Sequence, residues 1–380
     1  MSFALGLLIV GTNIPSPLYS VYEHRFGFSA LTITMIVAIY VAFLVPTLLL
    51  FGSLADHVGL RRILVPSIML AAAGMAIFAL ASSTAWLFIA RAVQGVAVGA
   101  ASGPLTVALV RTEPHGDRAR ASLLASLMTT GGAGLGPVLA GTLAQYAPWP
   151  LLLCYLVELF LLAVAAVAVT TAPAGSRAVG RVQIRRPQVP AGIRRPFAAA
   201  SAASFLAWAV AYIVLALVPS YVRAAMHSQN LLLGGGAAGL LLLCAATAQV
   251  VLARTPYRRA LHLGLLLLVA GLGGLIVAGA LFSVPLLLAT IAITGVGQGL
   301  GFMGALRCVN DIAPPDVHAG VISAFYVVTY LGGGGPVILV GLAATKIGLV
   351  PAVQAAAALC GLGCLMTLAM LRYAEIPAGA

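Results

Sequence analysis

Long apolar runs, separated by short polar segments, organise this chain of 380 residues. The breaks predict twelve helices, α1 to α12, near residues 3–22, 30–52, 63–82, 86–110, 120–145, 149–171, 197–222, 231–252, 261–282, 284–308, 318–343 and 350–371. A helix that crosses a bilayer needs about 20 apolar residues, and each run approaches or exceeds that length. One long polar stretch, rich in Pro and Arg, runs from Thr171 to Pro196. It predicts two parts, residues 1–172 and 197–372, joined by a linker over 173–196 and followed by a short tail over 373–380. The expected class is therefore an all-α membrane protein with twelve transmembrane helices in two six-helix bundles.

Composition leaves little room for a soluble alternative. Hydrophobic residues make up 62% of the chain and charged residues 7%, whereas a soluble domain carries roughly a quarter of its residues charged. The net charge of +12 suggests nucleic acid at first sight. The cations fall in the gaps between apolar runs rather than along one face, which is how membrane orientation is encoded. Nucleic acid is thus excluded as a partner, and membrane lipid takes its place. With Arg91 set aside, sixteen of the remaining nineteen cations lie on the side of the N-terminus when the gaps are assigned alternately, leaving Arg25, Arg223 and Lys346 opposite. The positive-inside rule then predicts a multi-pass protein of the cell (inner) membrane with both termini cytoplasmic. The chain enters its first apolar run at Met1-Ser2-Phe3 with no basic residue before it, an opening that fits a longer natural start with a short basic tail. The five cysteines sit in or at the ends of apolar runs with no acid or histidine beside them, so packing is expected and no metal site.

Short strings recur at nearly one offset. Gly136-Pro137-Val138 returns as Gly335-Pro336-Val337, Gln94-Gly95 as Gln298-Gly299, and Pro17-Leu18-Tyr19 more weakly as Pro219-Ser220-Tyr221. Three echoes in the same order imply a duplicated six-helix unit.

The gap between α2 and α3 reads Gly52-Ser53-Leu54-Ala55-Asp56-His57-Val58-Gly59-Leu60-Arg61-Arg62. Gly59 suits a left-handed turn, and Asp56 is an anion suited to helix N-termini or arginines. This pattern resembles the α2–α3 loop of the major facilitator superfamily, with matches at Gly52, Leu54, Asp56, Gly59 and Arg61. His57 stands where an arginine is usual, and Leu60 where a second basic residue is usual. The resemblance covers essentially the whole chain. It implies two pseudo-symmetric bundles related by an axis along the membrane normal, with a binding site between them. It also implies a cytoplasmic gate in which Asp56, with Gly52, Gly59, Arg61 and Arg62, meets the start of α11 near Val317 and arginines such as Arg111.

Arg91 lies about five residues inside α4, with Gln94, Gly95, Val98, Gly99, Ser102 and Thr106 on the same helical face. A charge there must face a cavity or a partner helix, or else snorkel to the outer interface. The segment Arg91-Ala92-Val93-Gln94-Gly95 also resembles the superfamily's α4 motif, whose arginine is associated with proton transfer or anionic substrates. In α5, Gly132, Gly136, Pro137 and Gly141 match the motif of the antiporter branch, with Ala140 replacing a glycine. There the motif is thought to seal the bundles against leak; generic small-residue packing is the other reading. The match favours export.

Glu158 is the one acid well inside an apolar run. It could exchange a proton as access alternates, or stay neutral within its own bundle. The outer half of α1 holds Thr12, Asn13, Pro15, Pro17, Tyr19 and Tyr22. Many proton-coupled exporters carry an acid here, and this chain has Asn13. Trp208 and Tyr212, one turn apart on α7, form either an aromatic wall or lipid-facing packing. Gln298 duplicates Gln94. The glycines at 332–335 lack a following lysine and lie in a span, so they form no phosphate loop.

The combined expectation is a transporter, not an enzyme. It would be a monomer without cofactor that exports a small apolar or amphipathic molecule against a proton gradient by alternating access. A proton-independent facilitator, a sugar or metabolite exporter, and a non-transporting membrane sensor are the alternatives.

Overall fold

The structure, a computed structural model, describes residues 2–51, 60–111, 118–171 and 188–373. Of the predicted gate, Gly52, Asp56 and Gly59 lie outside the described residues, and so does much of the Pro/Arg-rich linker. Twelve helical spans occupy most of the described chain. α1 runs over Ser2–Phe26 in two segments, Ser2–Asn13 and Pro15–Phe26. It is followed by α2 Ala30–Phe51, α3 Leu60–Ala79, α4 Thr84–Arg111, α5 Arg118–Tyr146 and α6 Leu153–Thr171. The second set comprises α7 Arg194–Ala225, α8 Leu231–Val251, α9 Tyr257–Ala280, α10 Val284–Ile312, α11 His318–Ile347 and α12 Leu349–Tyr373. Eleven candidate membrane spans, by length and apolar composition, are found among the described residues. The glycines of α5 serve close helix packing.

Large apolar side chains cover the outside of the spans: Phe160, Leu359 and Leu339 are 69%, 69% and 67% exposed. Such a surface is stable only where the surrounding solvent is itself apolar.

The chain divides into two compact units. One comprises Met1–Phe28, Met35–Ile184 and Asn230–Gly239; the other comprises Ser29–Thr34, Arg185–Gln229 and Leu240–Ala380. Each is held by close helix approaches at glycine. In the first unit, a Cβ on Gly95 of α4 would collide with the Tyr40 backbone and lie 3.0 Å from Phe43 Cβ of α2. In the second, Gly299 of α10 meets the Ala245 backbone of α8 in the same way. The repeated Gln-Gly pair thus makes the same kind of contact twice, once in each unit.

The glycine-rich face of α5 packs on two sides. A Cβ on Gly132 would lie 2.8 Å from the Gly6 carbonyl oxygen of α1, and one on Gly136 would strike the Val10 carbonyl. On the other side, Gly141 faces the Leu231 carbonyl, and the Pro137 and Gly134 carbonyls abut Gly235 and Gly239 of α8. Gln145 Oε1 accepts from the Leu231 N–H at 2.8 Å and Asn230 Oδ1 from the Leu233 N–H at 3.1 Å, so the exposed amides at the start of α8 are capped.

Candidate functional site

The polar interior of the first unit is built around the break in α1. A helix N–H bonds the carbonyl four residues back, and proline has none to give. Pro15 therefore leaves the Gly11 carbonyl without its helical donor, and Pro17 does the same to Asn13. Gln94 of α4 answers the first of these losses, and Arg91 engages the neighbouring Thr12 carbonyl. Gln94 Nε2 donates to the Gly11 carbonyl at 3.3 Å, and Arg91 Nη1 donates to the Thr12 carbonyl. Arg91 Nη1 also donates to Gln94 Oε1 at 3.0 Å, and Arg91 Nε donates to the Tyr19 hydroxyl. Its guanidinium carbon lies 5.4, 5.6 and 5.7 Å from the ring centroids of Tyr19, Tyr40 and Phe78. Desolvated cation–π contacts of this kind are each worth up to about 2 kcal/mol. Arg91 is buried, so the snorkelling reading fails and the partner-helix reading holds.

Glu158 of α6 faces the same break from the other side. It is fully buried, and neither carboxylate oxygen has a hydrogen-bond partner among the described residues. A Cβ on Gly11 would lie 2.9 Å from Glu158 Oε1, so the absence of a side chain at Gly11 makes room for the carboxyl. No ion pair joins it to Arg91 among the described residues.

Asn13 turns back on its own helix, donating to the Ile9 carbonyl at 3.2 Å and to Thr12 Oγ1 at 2.8 Å. Tyr22 is buried, its hydroxyl 3.3 Å from that of Tyr155 and 3.4 Å from the Phe78 carbonyl. Tyr155 stacks on Phe78 with centroids 5.5 Å apart. Sequence reasoning missed Tyr155, Tyr40 and Phe78. Tyr155 lies one turn from Glu158 on α6, and that spacing was the available signal.

Among the described residues the second unit holds no counterpart of the arginine or the acid; the position duplicating Arg91 is Gly295, packed on the Leu241 backbone of α8. Here the chemistry is aromatic. Trp208 sits 5.9 Å from Tyr212 and edge-on to Phe302 of α10 at 5.5 Å. Phe302 leads to Phe325, Phe325 to Tyr326, and Tyr326 stacks on Tyr330 of α11 at 6.3 Å. Trp208 and Tyr212 are therefore joined to neighbouring helices and do not simply face lipid. Ser204 and Thr329 hydroxyls meet at 2.7 Å between α7 and α11. The glycine run contributes as well: Gly332 admits the Phe205 backbone, and a Cβ on Gly333 would lie 2.8 Å from the Tyr212 ring. Gln298 is fully buried, and neither its amide nitrogen nor its oxygen has a hydrogen-bond partner among the described residues.

Of the remaining predicted positions, Arg61 and Arg62 stand in the first turn of α3, half-buried and exposed respectively. Arg111 ends α4, and only its backbone is described.

Comparison with known proteins agrees with this architecture. A family model described as the Major Facilitator Superfamily matches residues 1–336. The MdtD proteins of Klebsiella pneumoniae and Shigella flexneri, named for multidrug resistance, are each 36% identical over 148 residues. That match covers 38% of this chain and spans 30% of the length of those relatives. A mutant of the nucleoside transporter NupG superposes with a TM-score of 0.76 at 13% identity, covering 97% of this chain and 98% of that one. A bacterial homologue of the human lysosomal transporter Spinster, inward-facing and unoccupied, gives 0.73 at 14% identity, covering 98% and 93%. At such identities the likeness speaks for the fold alone. Twelve spans, a unit built twice and a family match over most of the chain lead to one conclusion: this multi-pass membrane protein belongs to the major facilitator superfamily, whose members move small molecules across membranes.

Proposed function

We propose that this chain is a secondary transporter, not an enzyme, that exports a small apolar or amphipathic compound in exchange for protons by alternating access. The observation that carries the proton part is Glu158. It is a fully buried carboxyl with no hydrogen-bond partner among the described residues, resting on Gly11 where prolines have weakened α1. A buried anion is costly unless it is paired, and taking up a proton removes that cost. Charge change at Glu158 therefore acts on a backbone that proline has interrupted. Arg91 and Gln94 hold the other face of the same break, which couples α4 to it.

Export is supported by the glycine–proline motif of α5 and by the similarity to proteins named for multidrug resistance. The arginine distribution supports a cell-membrane location with both termini cytoplasmic, and we take the working unit to be a monomer driven by the proton gradient without a cofactor. In this scheme Asp56 steadies the cytoplasmic gate by facing the start of α11 and arginines such as Arg111.

One observation favours a proton-independent facilitator instead: Asn13 occupies α1 as a neutral amide bonded to its own helix. A substrate screen in proteoliposomes, run with and without a pH gradient, separates the two. Movement accelerated by the gradient supports exchange, equal movement in both supports the facilitator, and movement of nothing overturns transport.

A further inference from the structure

The second unit contains a buried amide that its own fold does not satisfy. Gln298 is 0% exposed, and both ends of its carboxamide lack a partner among the described residues. Leaving such groups unpaired in an apolar interior costs free energy, so native proteins rarely do it without a reason.

Helical phase tells which neighbour the amide faces. On α10, Gly301 approaches Ala207 of α7 and Phe302 abuts Trp208 of α7. Gly297 instead meets α9, at Leu268, and Gly299 meets α8, at Ala245. Gln298 precedes Phe302 by one turn and so stands on the α7 side. There a second group is left over: the Trp208 indole N–H, buried and without an acceptor among the described residues. The rings it touches, Tyr212 and Phe302, are half-buried, as are Tyr326 and Tyr330 further along the chain of rings through the buried Phe325.

We propose that this α7–α10–α11 face of the second unit is a subsite for a flat aromatic ligand whose edge carries an N–H beside a C=O, a fused aromatic lactam. The ligand N–H donates to Gln298 Oε1, and Gln298 Nε2 donates to the ligand carbonyl, so one residue meets both needs in a cyclic pair. The Trp208 and Tyr212 rings offer the flat faces on which the ligand stacks, with Tyr212 held in place by Gly333. This deepens the transport reading by naming a substrate class, but the subsite is testable without transport.

The test uses the full chain in detergent with Trp86 and Trp149 replaced by Phe, leaving Trp208 as the single tryptophan of the three. 2-Quinolone should quench Trp208 saturably. N-methyl-2-quinolone, which keeps the ring and carbonyl but cannot donate, should bind at least about tenfold more weakly. δ-Valerolactam, with the same edge and no aromatic ring, should also fall at least about tenfold. Gln298→Met should erase the preference for 2-quinolone over its N-methyl form while unfolding at the same or a higher temperature. Absence of saturable quenching, equal binding of the three probes, or unchanged preference in Gln298→Met would each overturn the subsite. So would a fall in the unfolding temperature of Gln298→Met by several degrees, because that would make the amide a structural group. Binding of 2-quinolone with no compound moved in proteoliposomes would leave the subsite and remove the transport reading. Movement of other compounds without 2-quinolone binding would do the reverse.

Discussion

The carboxyl of Glu158 rests on the backbone of Gly11: a Cβ at Gly11 would come within 2.9 Å of Oε1 and 3.4 Å of the carboxyl carbon. One residue supplies the only acid well inside a span, and the other supplies the gap that admits it. On the far side of the same peptide, Gln94 bonds the Gly11 carbonyl that Pro15 cannot engage. Carboxyl, backbone break and the Arg91–Gln94 network are thereby brought to a single stretch of α1.

Glu158→Gln should preserve folding and abolish acceleration of export by a pH gradient. The amide keeps the shape and cannot cycle a proton, and it is cheaper to bury than an anion. Substrate counterflow without a gradient should persist. If the variant still responds fully to the gradient in proteoliposomes, Glu158 is not the coupling group.

Gly11→Ala should be more damaging than one methyl group suggests. The added carbon has no room against the carboxyl, and overpacking of this kind typically costs about 1–3 kcal/mol. Pairing it with Glu158→Ala should restore much of the loss, because the colliding atoms are then gone. A thermal-unfolding double-mutant cycle in detergent measures this coupling.

Arg91→Ala should lower the unfolding temperature and reduce transport together, by at least about 3 kcal/mol in stability. Hydrogen bonds to a charged group contribute roughly 1.5–3 kcal/mol each, and this arginine makes three to Tyr19, Thr12 and Gln94. Arg91→Lys should rescue only part, since an ammonium is a point charge and cannot reproduce the planar fork. A loss of transport with wild-type unfolding would instead mark Arg91 as a substrate contact.

The duplicated Gly-Pro-Val strings should respond differently to the same change. Gly136→Ala puts a carbon against the Val10 carbonyl and 3.1 Å from Asn13 Cβ, and should destabilise by about 1–3 kcal/mol. Gly335→Ala meets nothing within 4 Å and should be neutral or slightly stabilising, since Ala is the better helix former. Equal loss in both variants, read by thermal unfolding, would refute the asymmetry.

If Asp56 serves the proposed gate, Asp56→Asn should leave the protein inserted and slow export several-fold, because loss of a charge at a helix terminus is worth about 0.3–2 kcal/mol. Export at the wild-type rate would exclude Asp56 from the gate.

Several of these relationships were half visible in the sequence. The spacing Arg91, Gln94, Gly95 showed that a cation, an amide and a small residue share one face of α4. It did not show that Gly95 is what lets α2 come close, nor that the arginine points at a peptide carbonyl of α1. Pro15 and Pro17 announced a weakened α1, and the structure breaks it at Ile14. Which side chains take up the released carbonyls was not written in α1 at all. The run at 332–335 illustrates the limit: composition excluded a phosphate loop, yet its use, admitting the Phe205 backbone and the Tyr212 ring, depends on residues more than a hundred positions away.

Apolar run length, a property of neighbouring residues, decided by itself that this chain makes membrane-spanning helices and about how many, while the recurring strings implied a duplicated unit. The bilayer enforces that outcome, because a chain in hydrocarbon must satisfy its backbone within each helix. Tertiary structure alone decided which faces meet: that Glu158 lies on Gly11, that Gln94 answers Pro15, and that Gln298 finds no partner among the described residues. Helix periodicity places a residue on a face but leaves open which partner that face meets. Among helices of similar greasiness, the partner is chosen by the fit of small residues, freed carbonyls and rings across the chain.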